Sequence, residues 1–527
     1  MLDIVIKNGK VVDGTGRPAF KADVGVLEDR IVTVAETVDQ EAARTIDAQG
    51  LHVAPGFIDP HTHSDRPLLV DPCAQSKIRQ GVTTEVIGNC GYSPAPVVGA
   101  AVEEVGARAR EMDIEITWQS FGEYLDRLRD PGTALNVVPL VGHNTVRGAV
   151  VGYDAIQPTP EQQKEMEGLV EEAMKQGARG LSTGLFYPPG YYATTEEVIG
   201  LARAASRHGG VYASHIRSES DEVLEAVSEA IEIGDQADIR VEIAHLKLEG
   251  YRNWGDIDRL VALLDDAQAR GLRVGCDQYP YIASNTWLGG LLPYEYQAGG
   301  GKAVAERLRD PAFRQQMRRD WEQNRADWEN RGGQQDWSGV QISVCPNCGE
   351  TLGKTIAQIS EERGQDPLDV VFDLVVVSEG LASAVWFTQD EEIVRRLMRH
   401  PTVVVGSDGS SLKPEGVLGA RRVHPRNYGT FPRVLGRYVR EEGVLSLEEA
   451  VRKMTSVAAE RFGLTDRGMV SEGAQADLVL FDAERVVDRA TFSDPHEYPE
   501  GIPYVMVNGT LVLDRGQHTG ALPGRVL

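Results

Sequence analysis

Eight short apolar runs, each separated from the next by a longer stretch of helical spacing, set the tightest limit on what this 527-residue chain can fold into. They lie at Val53 to Ile58, Thr84 to Ile87, Asn136 to Val141, Gly180 to Thr183, Val211 to Ser214, Arg240 to Ala244, Leu272 to Cys276 and Thr402 to Gly406. Short strands alternating with helices are the pattern of parallel βαβ units. The helix between the fifth and sixth runs is the clearest, with Val223, Leu224, Val227 and Ile231 on one face and Glu222, Glu225, Glu229 and Glu232 on the other. Eight such units fit a TIM (β/α)8 barrel, although the pattern alone also allows an open doubly wound sheet.

The two ends of the chain are written differently. Residues 1–54 alternate and turn like a small antiparallel sheet, and Asn8-Gly9 between apolar runs is a hairpin signal. VMVNGTLVLDRG repeats the design near the other end, with Asn508-Gly509. The expectation is an α/β chain with a β-sandwich assembled from residues 1–54 and 466–527 around a barrel over 55–465. From Tyr281 to Thr402 the connection is too long for a simple crossover, so an insertion at about 285–350 is expected between the seventh and eighth barrel strands. Glycines at 299–301 and 332–333 bracket either a lid or a solvated insertion.

Catalytic groups of such barrels sit at the C-terminal ends of strands. The first run leads into GFIDPHTHSD at 56–65, where His61 and His63, separated by one residue, point the same way from an extended chain, as two imidazoles sharing one metal must. Cys90 follows the second run, His215 ends the fifth, His245 follows the sixth and Asp408 the eighth. Taken singly, each is as well explained as a satisfied core or loop residue. Six metal-type groups on one predicted rim are not. Imidazole, thiolate and carboxylate together suit Zn2+. Six ligands exceed the needs of one tetrahedral ion, so either two metals lie close together or some of these groups serve as acid and base. His143, after the third run, reads as an ordinary loop residue.

Charge and targeting narrow the partners. Lys and Arg number 54 against 79 Asp and Glu, for a net charge of -25, which opposes a polyanionic partner such as nucleic acid. The N-terminus has no signal-like apolar core, and nowhere is there the run of about 18 apolar residues that a membrane helix needs. A cytoplasmic protein acting on a small molecule is expected. Five cysteines in so long a chain do not make a disulfide framework, and the CPNC at 345–348 reads as a loop with reduced thiols.

GFIDPHTHSD, GNCG, SHIRSES, AHLK, YPY, GSDG and HPRNYGTFPRVLG together resemble the N-acyl-D-amino-acid deacylases, or D-aminoacylases, of the amidohydrolase superfamily, over nearly the whole chain. The resemblance implies zinc-dependent hydrolysis of the amide of N-acyl-D-amino acids. It implies one zinc held firmly by Cys90, His215 and His245, and a weaker second site on His61, His63 and Asp408. Asp408 would be general base and acid. Tyr279 and Tyr187 match residues lining the family's substrate site, and Arg426 of HPR matches the family arginine, a guanidinium suited to a substrate carboxylate; Lys247, two residues beyond His245 and so on the same side of the strand, is placed to position or neutralise the substrate. Asn285 stands where the family carries a carboxylate-contacting serine, a departure that leaves this contact open. Two rivals remain at this point. A cyclic-amide hydrolase of the hydantoinase or dihydroorotase kind would normally carry a lysine in the fourth strand, where this chain reads GLSTG. A non-catalytic homologue would have lost ligands, and none is missing.

Overall fold

A computed structural model describes residues 1–324 and 336–527. The expected Gly332-Gly333 boundary of the insertion lies outside the described residues. All eight expected barrel strands are present: β1 (Phe57–Asp59), β2 (Val82–Ile87), β3 (Asn136–Pro139, resumed as Val141–Gly142), β4 (Gly180–Gly184), β5 (Val211–His215), β6 (Arg240–Ile243), β7 (Val274–Gln278) and β8 (Val403–Val405). Each pairs in parallel with the next in chain order. The series closes on itself just beyond the strands, where the Asp408 amide donates to His61 O at 2.9 Å and the His63 amide to Gly409 O at 2.8 Å. That ring of contacts rules out the open doubly wound sheet, whose first and last strands would stay apart.

The strands are buried on both faces because helices cover the outside, as parallel sheets require. Helix Val223–Ala237 turns Val223, Val227 and Ile231 inward while Glu222, Glu225 and Glu232 face water. Glu229 departs from the expected exposed face, since Arg217 draws it into an ion pair at 2.8 Å.

Four expectations need correction. The first apolar run is two strands: His52–Pro55 joins the terminal sheet, and only Phe57–Asp59 enters the barrel. Gly56 makes the break, because the backbone passes so close to Thr83 that a Cβ there would meet its side chain at 2.2 Å. Asn8-Gly9 does not turn a hairpin but forms a bulge inside the continuous strand Leu2–Val11. The Asn8 amide bonds to Asp23 at 3.0 Å, and Gly9 leaves space that Val53 fills. The matching Asn508-Gly509 does turn between Tyr504–Val507 and Thr510–Asp514, with φ of 46° and 78° as a two-residue hairpin needs.

Strands from both ends of the chain make one nine-stranded sheet, in which Ala42–Asp47 and His52–Pro55 share an edge of Leu2–Val11 so that the sheet forks. The third correction concerns the insertion. Its sheet has Ser383–Trp386 in the centre between Ser284–Trp287 and Val340–Val344, and its core includes Leu288, Val304, Ile342, Phe372 and Trp386. The unit therefore runs well past 350, because the apolar VVFDLVVV helix packs here and not on the barrel. Within it Cys345 and Cys348, expected as reduced thiols, are joined as a disulfide across a turn that brings their Cα atoms to 5.3 Å.

Lys453 secures β8 from beneath. It is 1% exposed, and its ammonium donates to His400 O at 2.5 Å and Val403 O at 2.7 Å. Burial pushes its pKa down to about 8. The folded protein thus holds this proton less tightly than the unfolded chain, whose lysines titrate near about 10.4. The cost of charging it is fully present below pH 8, and stability rises between about 8 and 10.4. Denaturant titrations across that window are expected to show this rise in wild type and a flatter profile in Lys453→Met; parallel profiles would place the relevant proton elsewhere.

Candidate metal centre

Every residue singled out as a ligand lies at the C-terminal end of the barrel, and three of them sit on strained backbone. Cys90, His245 and Asp408 have φ of 53°, 34° and 48°, left-handed conformations that side-chain-bearing residues rarely adopt. Each costs on the order of 1–3 kcal/mol and persists only where the surroundings enforce it. Here the strain turns the chain sharply at the strand ends and aims thiolate, imidazole and carboxylate at the barrel axis.

Cys90 Sγ stands 3.3 Å from His61 Nε2 and 3.5 Å from His245 Nε2. Asp408 Oδ1 lies 3.0 Å from His63 Nε2 and 3.6 Å from His61 Nε2. The ligand atoms of His61, Cys90, His245 and Asp408 fall within 4.8 Å of one another, as do those of His215, Glu219 and His245. The thiol is therefore not confined to the His215 and His245 side, as the resemblance implied; it stands between the two sets, and His245 belongs to both. Burial would raise the Cys90 pKa, but the neighbouring His61, His215 and His245 hold it well below the ordinary thiol value. For Asp408 the opposing burial is likewise overcome, chiefly by Arg426 and then His245, which keep the carboxyl ionised.

The residues fit a metal on two counts. His215 is buried, yet neither ring nitrogen has a hydrogen-bond partner, an arrangement that costs free energy unless something else occupies the lone pair. The donor set of imidazole nitrogen, thiolate sulfur and carboxylate oxygen is also that of zinc.

Two supporting carboxylates escaped the sequence reading. Asp277, just before YPY, accepts from the His245 amide at 2.9 Å and faces His61 Nδ1 at 3.2 Å, fixing two of the candidate residues at once. Glu219 Oε1 lies 2.8 Å from His245 Nδ1 and also contacts the Lys247 ammonium. Lys247 Nζ is itself 2.8 Å from the same Nδ1. A ring whose Nε2 faces a metal carries its proton on Nδ1, so the donation runs to Glu219 and Lys247 pairs with the carboxylate. The only cue in the sequence was position: Glu219 stands four residues beyond His215 in SHIRSES. His143, read as a loop residue, is buried against Glu197 at 2.9 Å, away from this cluster.

The groups proposed for substrate gather beside the ligands. Arg426 opens helix Arg426–Arg433 with Nη1 2.8 Å from Asp408 Oδ2, its guanidinium 4.9 Å above the Tyr279 ring. The contact with Asp408 is off the hydrogen-bonding direction, and Nε also has no acceptor. Lys247 Nζ stands 5.6 Å from the Tyr279 ring, whose hydroxyl accepts from Gln389 at 3.0 Å. Tyr187 stacks edgewise on His215 at 4.8 Å and bonds to Thr286 at 2.8 Å. Asn285 behaves otherwise than aligned: its side chain accepts from Ser343 at 2.6 Å, and its main-chain oxygen, not its amide group, meets Arg426 at 3.3 Å. His424, which the sequence reading passed over, donates to Ala283 O at 2.9 Å and accepts the Arg426 amide at 3.0 Å, tying the guanidinium's helix to the insertion. A cavity of about 1170 Å³ opens over Cys90, His215, Lys247, Asp408 and Arg426, walled by the barrel loops, by helix Ala101–Arg110 and by the insertion.

Residues 44–513 match the model of an amidohydrolase family. D-Aminoacylase of Alcaligenes xylosoxydans xylosoxydans is 38% identical over 100% of this chain and 97% of its own length. N-Acyl-D-aspartate deacylase of the same organism is 36% identical over 100% of this chain and 95% of its own. N-Acyl-D-glutamate deacylase of Bordetella bronchiseptica, solved with zinc and a phosphonate inhibitor that mimics the tetrahedral intermediate of its reaction, superposes with a TM-score of 0.84 at 34% identity, over 100% of this chain and 99% of that one. With its motifs on the rim of a barrel of this shape, the chain belongs to the amidohydrolase family and resembles the D-aminoacylases within it.

Proposed function

We propose that this protein hydrolyses N-acyl-D-amino acids to a carboxylate and a free D-amino acid, using zinc held firmly by Cys90, His215 and His245 and more weakly by His61, His63 and Asp408. The observation that carries this reading is Cys90 Sγ standing among His61, His245 and His215, whose ring nitrogens make no hydrogen bond, with a guanidinium and an ammonium beside it. The D preference follows the relatives, which act on N-acyl-D-amino acids. The fourth strand, GLSTG, carries no lysine of the kind a hydantoinase-like site uses.

Zinc held by Cys90, His215 and His245 would supply Lewis acidity to activate water and polarise the acyl carbonyl. The protein's own groups do the rest. Asp408 accepts the proton that the attacking water loses and delivers it to the nitrogen as the amide C–N bond breaks. Asp277 and Glu219 hold the imidazoles in orientation. Arg426 takes the substrate α-carboxylate through donors that Asp408 leaves unsatisfied, and Lys247 and Tyr279 border the same place.

Release of free amine from a panel of N-acetyl-D- and N-acetyl-L-amino acids, with hydantoin and dihydroorotate included, tests the reading: hydrolysis of the D series alone is expected, and turnover confined to the cyclic amides would overturn it. Arg426→Lys keeps charge but loses the planar fork. It is expected to lower kcat/KM for the free acids by roughly 10- to 100-fold, as hydrogen bonds to charged groups typically contribute, with zinc retained. It should also discriminate less than wild type between a substrate acid and its amide; an Arg426→Ala enzyme as fast as wild type on the acid would move the anchor to Lys247.

A further inference from the structure

We infer that Lys77 is a positioning residue for Asp408, clamping the turn after β8 to the loop after β1, a role that rests on the reading of Asp408 as proton acceptor and weaker-site ligand. Lys77 lies in the short helix Gln75–Ile78 between β1 and β2, and its side chain is fully buried. Its ammonium donates to Asp59 Oδ2 at 2.7 Å and to Ser407 Oγ at 2.5 Å, and stands 3.4 Å from Glu85 Oε1. Asp59 ends β1, Glu85 lies within β2 and Ser407 follows β8 by two residues. One cation therefore ties together the three strands at the seam where the barrel closes.

Each partner carries the contact on to a residue beside a candidate ligand. Asp59 Oδ1 accepts from the Ser407 amide at 2.9 Å and from the His61 amide at 3.3 Å. Ser407 Oγ accepts from the Gly409 amide at 3.0 Å, so both chain neighbours of Asp408 are held, and its own proton turns to His61 O at 3.4 Å. Glu85 divides its oxygens between Ser64, next to His63, at 3.0 Å and Ser411, three residues beyond Asp408, at 2.9 Å. The Ser411 amide donates in turn to Ser64 Oγ at 2.8 Å. Asp408 itself is in the left-handed region, φ 48°, a conformation that persists only where its surroundings enforce it, and these bonds lie on either side of it. Stability alone does not call for such a device, because buried charges forfeit their hydration and well-packed apolar side chains often hold a core as well or better. What an ammonium adds is direction, through donors that an apolar contact does not have. Among the described residues, the side-chain hydrogen bonds of Lys77, Asp59, Glu85 and Ser407 reach neither β5 nor β6, which lead to His215 and His245. Loss of the clamp should thus fall on one side of the metal centre.

Ser407→Ala removes one arm of the clamp and leaves its charges in place, whereas Lys77→Met removes the ammonium. Both are expected to lower kcat for N-acetyl-D-amino acids by roughly 10- to 100-fold with KM little changed, since a displacement of about 1 Å at a reacting group is enough for such a loss. Zinc titration against a competing chelator should show the weaker ion bound roughly 10- to 100-fold less tightly, as for other partners of metal ligands, with the firmly held ion unaffected. Ser407→Thr, which keeps the hydroxyl, should recover most of both losses. Wild-type kcat and zinc affinities in Ser407→Ala would overturn the role, and so would equal weakening of both ions, the mark of a general loosening of the fold. Lys77→Met leaves two buried carboxylates without their cation and is the harsher change. If it does not fold, Ser407→Ala and Ser407→Thr decide alone. The titration reads the clamp without turnover, so failure of wild type to release amine from N-acetyl-D-amino acids would count against the deacylase reading and not against Lys77.

Discussion

Cys90→Ala is expected to lose the firmly held zinc and deacylase activity together. The thiolate approaches imidazoles of both sets, with His61 Nε2 at 3.3 Å and His245 Nε2 at 3.5 Å, so its removal takes a donor from the centre of the cluster and not from its edge. Removing an outer-shell partner such as Asp277 typically costs 10- to 100-fold in metal affinity. Loss of a direct thiolate ligand should exceed that, and Asp277→Asn is the internal standard against which to measure it. Alanine fills the same left-handed backbone position, φ 53°, at no greater strain than cysteine, so the fold should survive; an unchanged Tm for the metal-free forms of variant and wild type checks this. Cys90→Asp, which restores an anionic donor, should recover part of the bound zinc. Metal analysis of Cys90→Ala showing full zinc at wild-type affinity would remove the thiolate from the ligand set.

What the sequence made legible was whatever repeats with a period or sits beside an apolar run. The eight strands, the inward face of helix Val223–Ala237 and the six ligand-type residues all met that condition, because each of the six stands at the mouth of a strand that is itself a run of apolar residues. Gly56 and Gly9 escaped for one reason: each is set by what approaches it from elsewhere in the chain, Thr83 in one case and Val53 in the other, and no local pattern records that approach. The insertion was cut short at 350 because its central strand, Ser383–Trp386, follows its outer ones in sequence. Asp277, Glu219 and His424 were invisible in another way. Each matters by bonding to a group 26 or more positions removed, or to one whose role depends on the fold, and a lone acid or histidine carries no mark of its partner. The strain at Cys90 is equally unreadable from sequence, since cysteine does not announce a positive φ, whereas Asp408 and His245 are of types enriched in that region, though far too common elsewhere for the type to mark the turn.

Asp408→Asn is expected to lower kcat by about 10²- to 10⁴-fold, the range for a general acid-base group. The substitution keeps the side chain's shape and one oxygen but removes the proton acceptor. It also strips Arg426 of its nearest charge at 2.8 Å and His63 of its partner at 3.0 Å, so the measurement must separate three effects. Zinc titration shows whether the weaker site has been lost: the firmly held ion, on Cys90, His215 and His245, should remain, and only the second should weaken. KM for an N-acetyl-D-amino acid reports on Arg426. With its carboxylate neighbour gone the guanidinium is freer to meet the substrate, so KM should hold or fall while kcat collapses, the split that marks loss of a transition-state interaction and not of binding. A solvent isotope effect larger than wild type's would show proton transfer becoming limiting. Near-normal kcat with the firmly held zinc in place would mean that Asp408 serves only to hold Arg426 and His63, and the proton acceptor would then be sought at His63, whose side chain is 37% exposed to the same cavity.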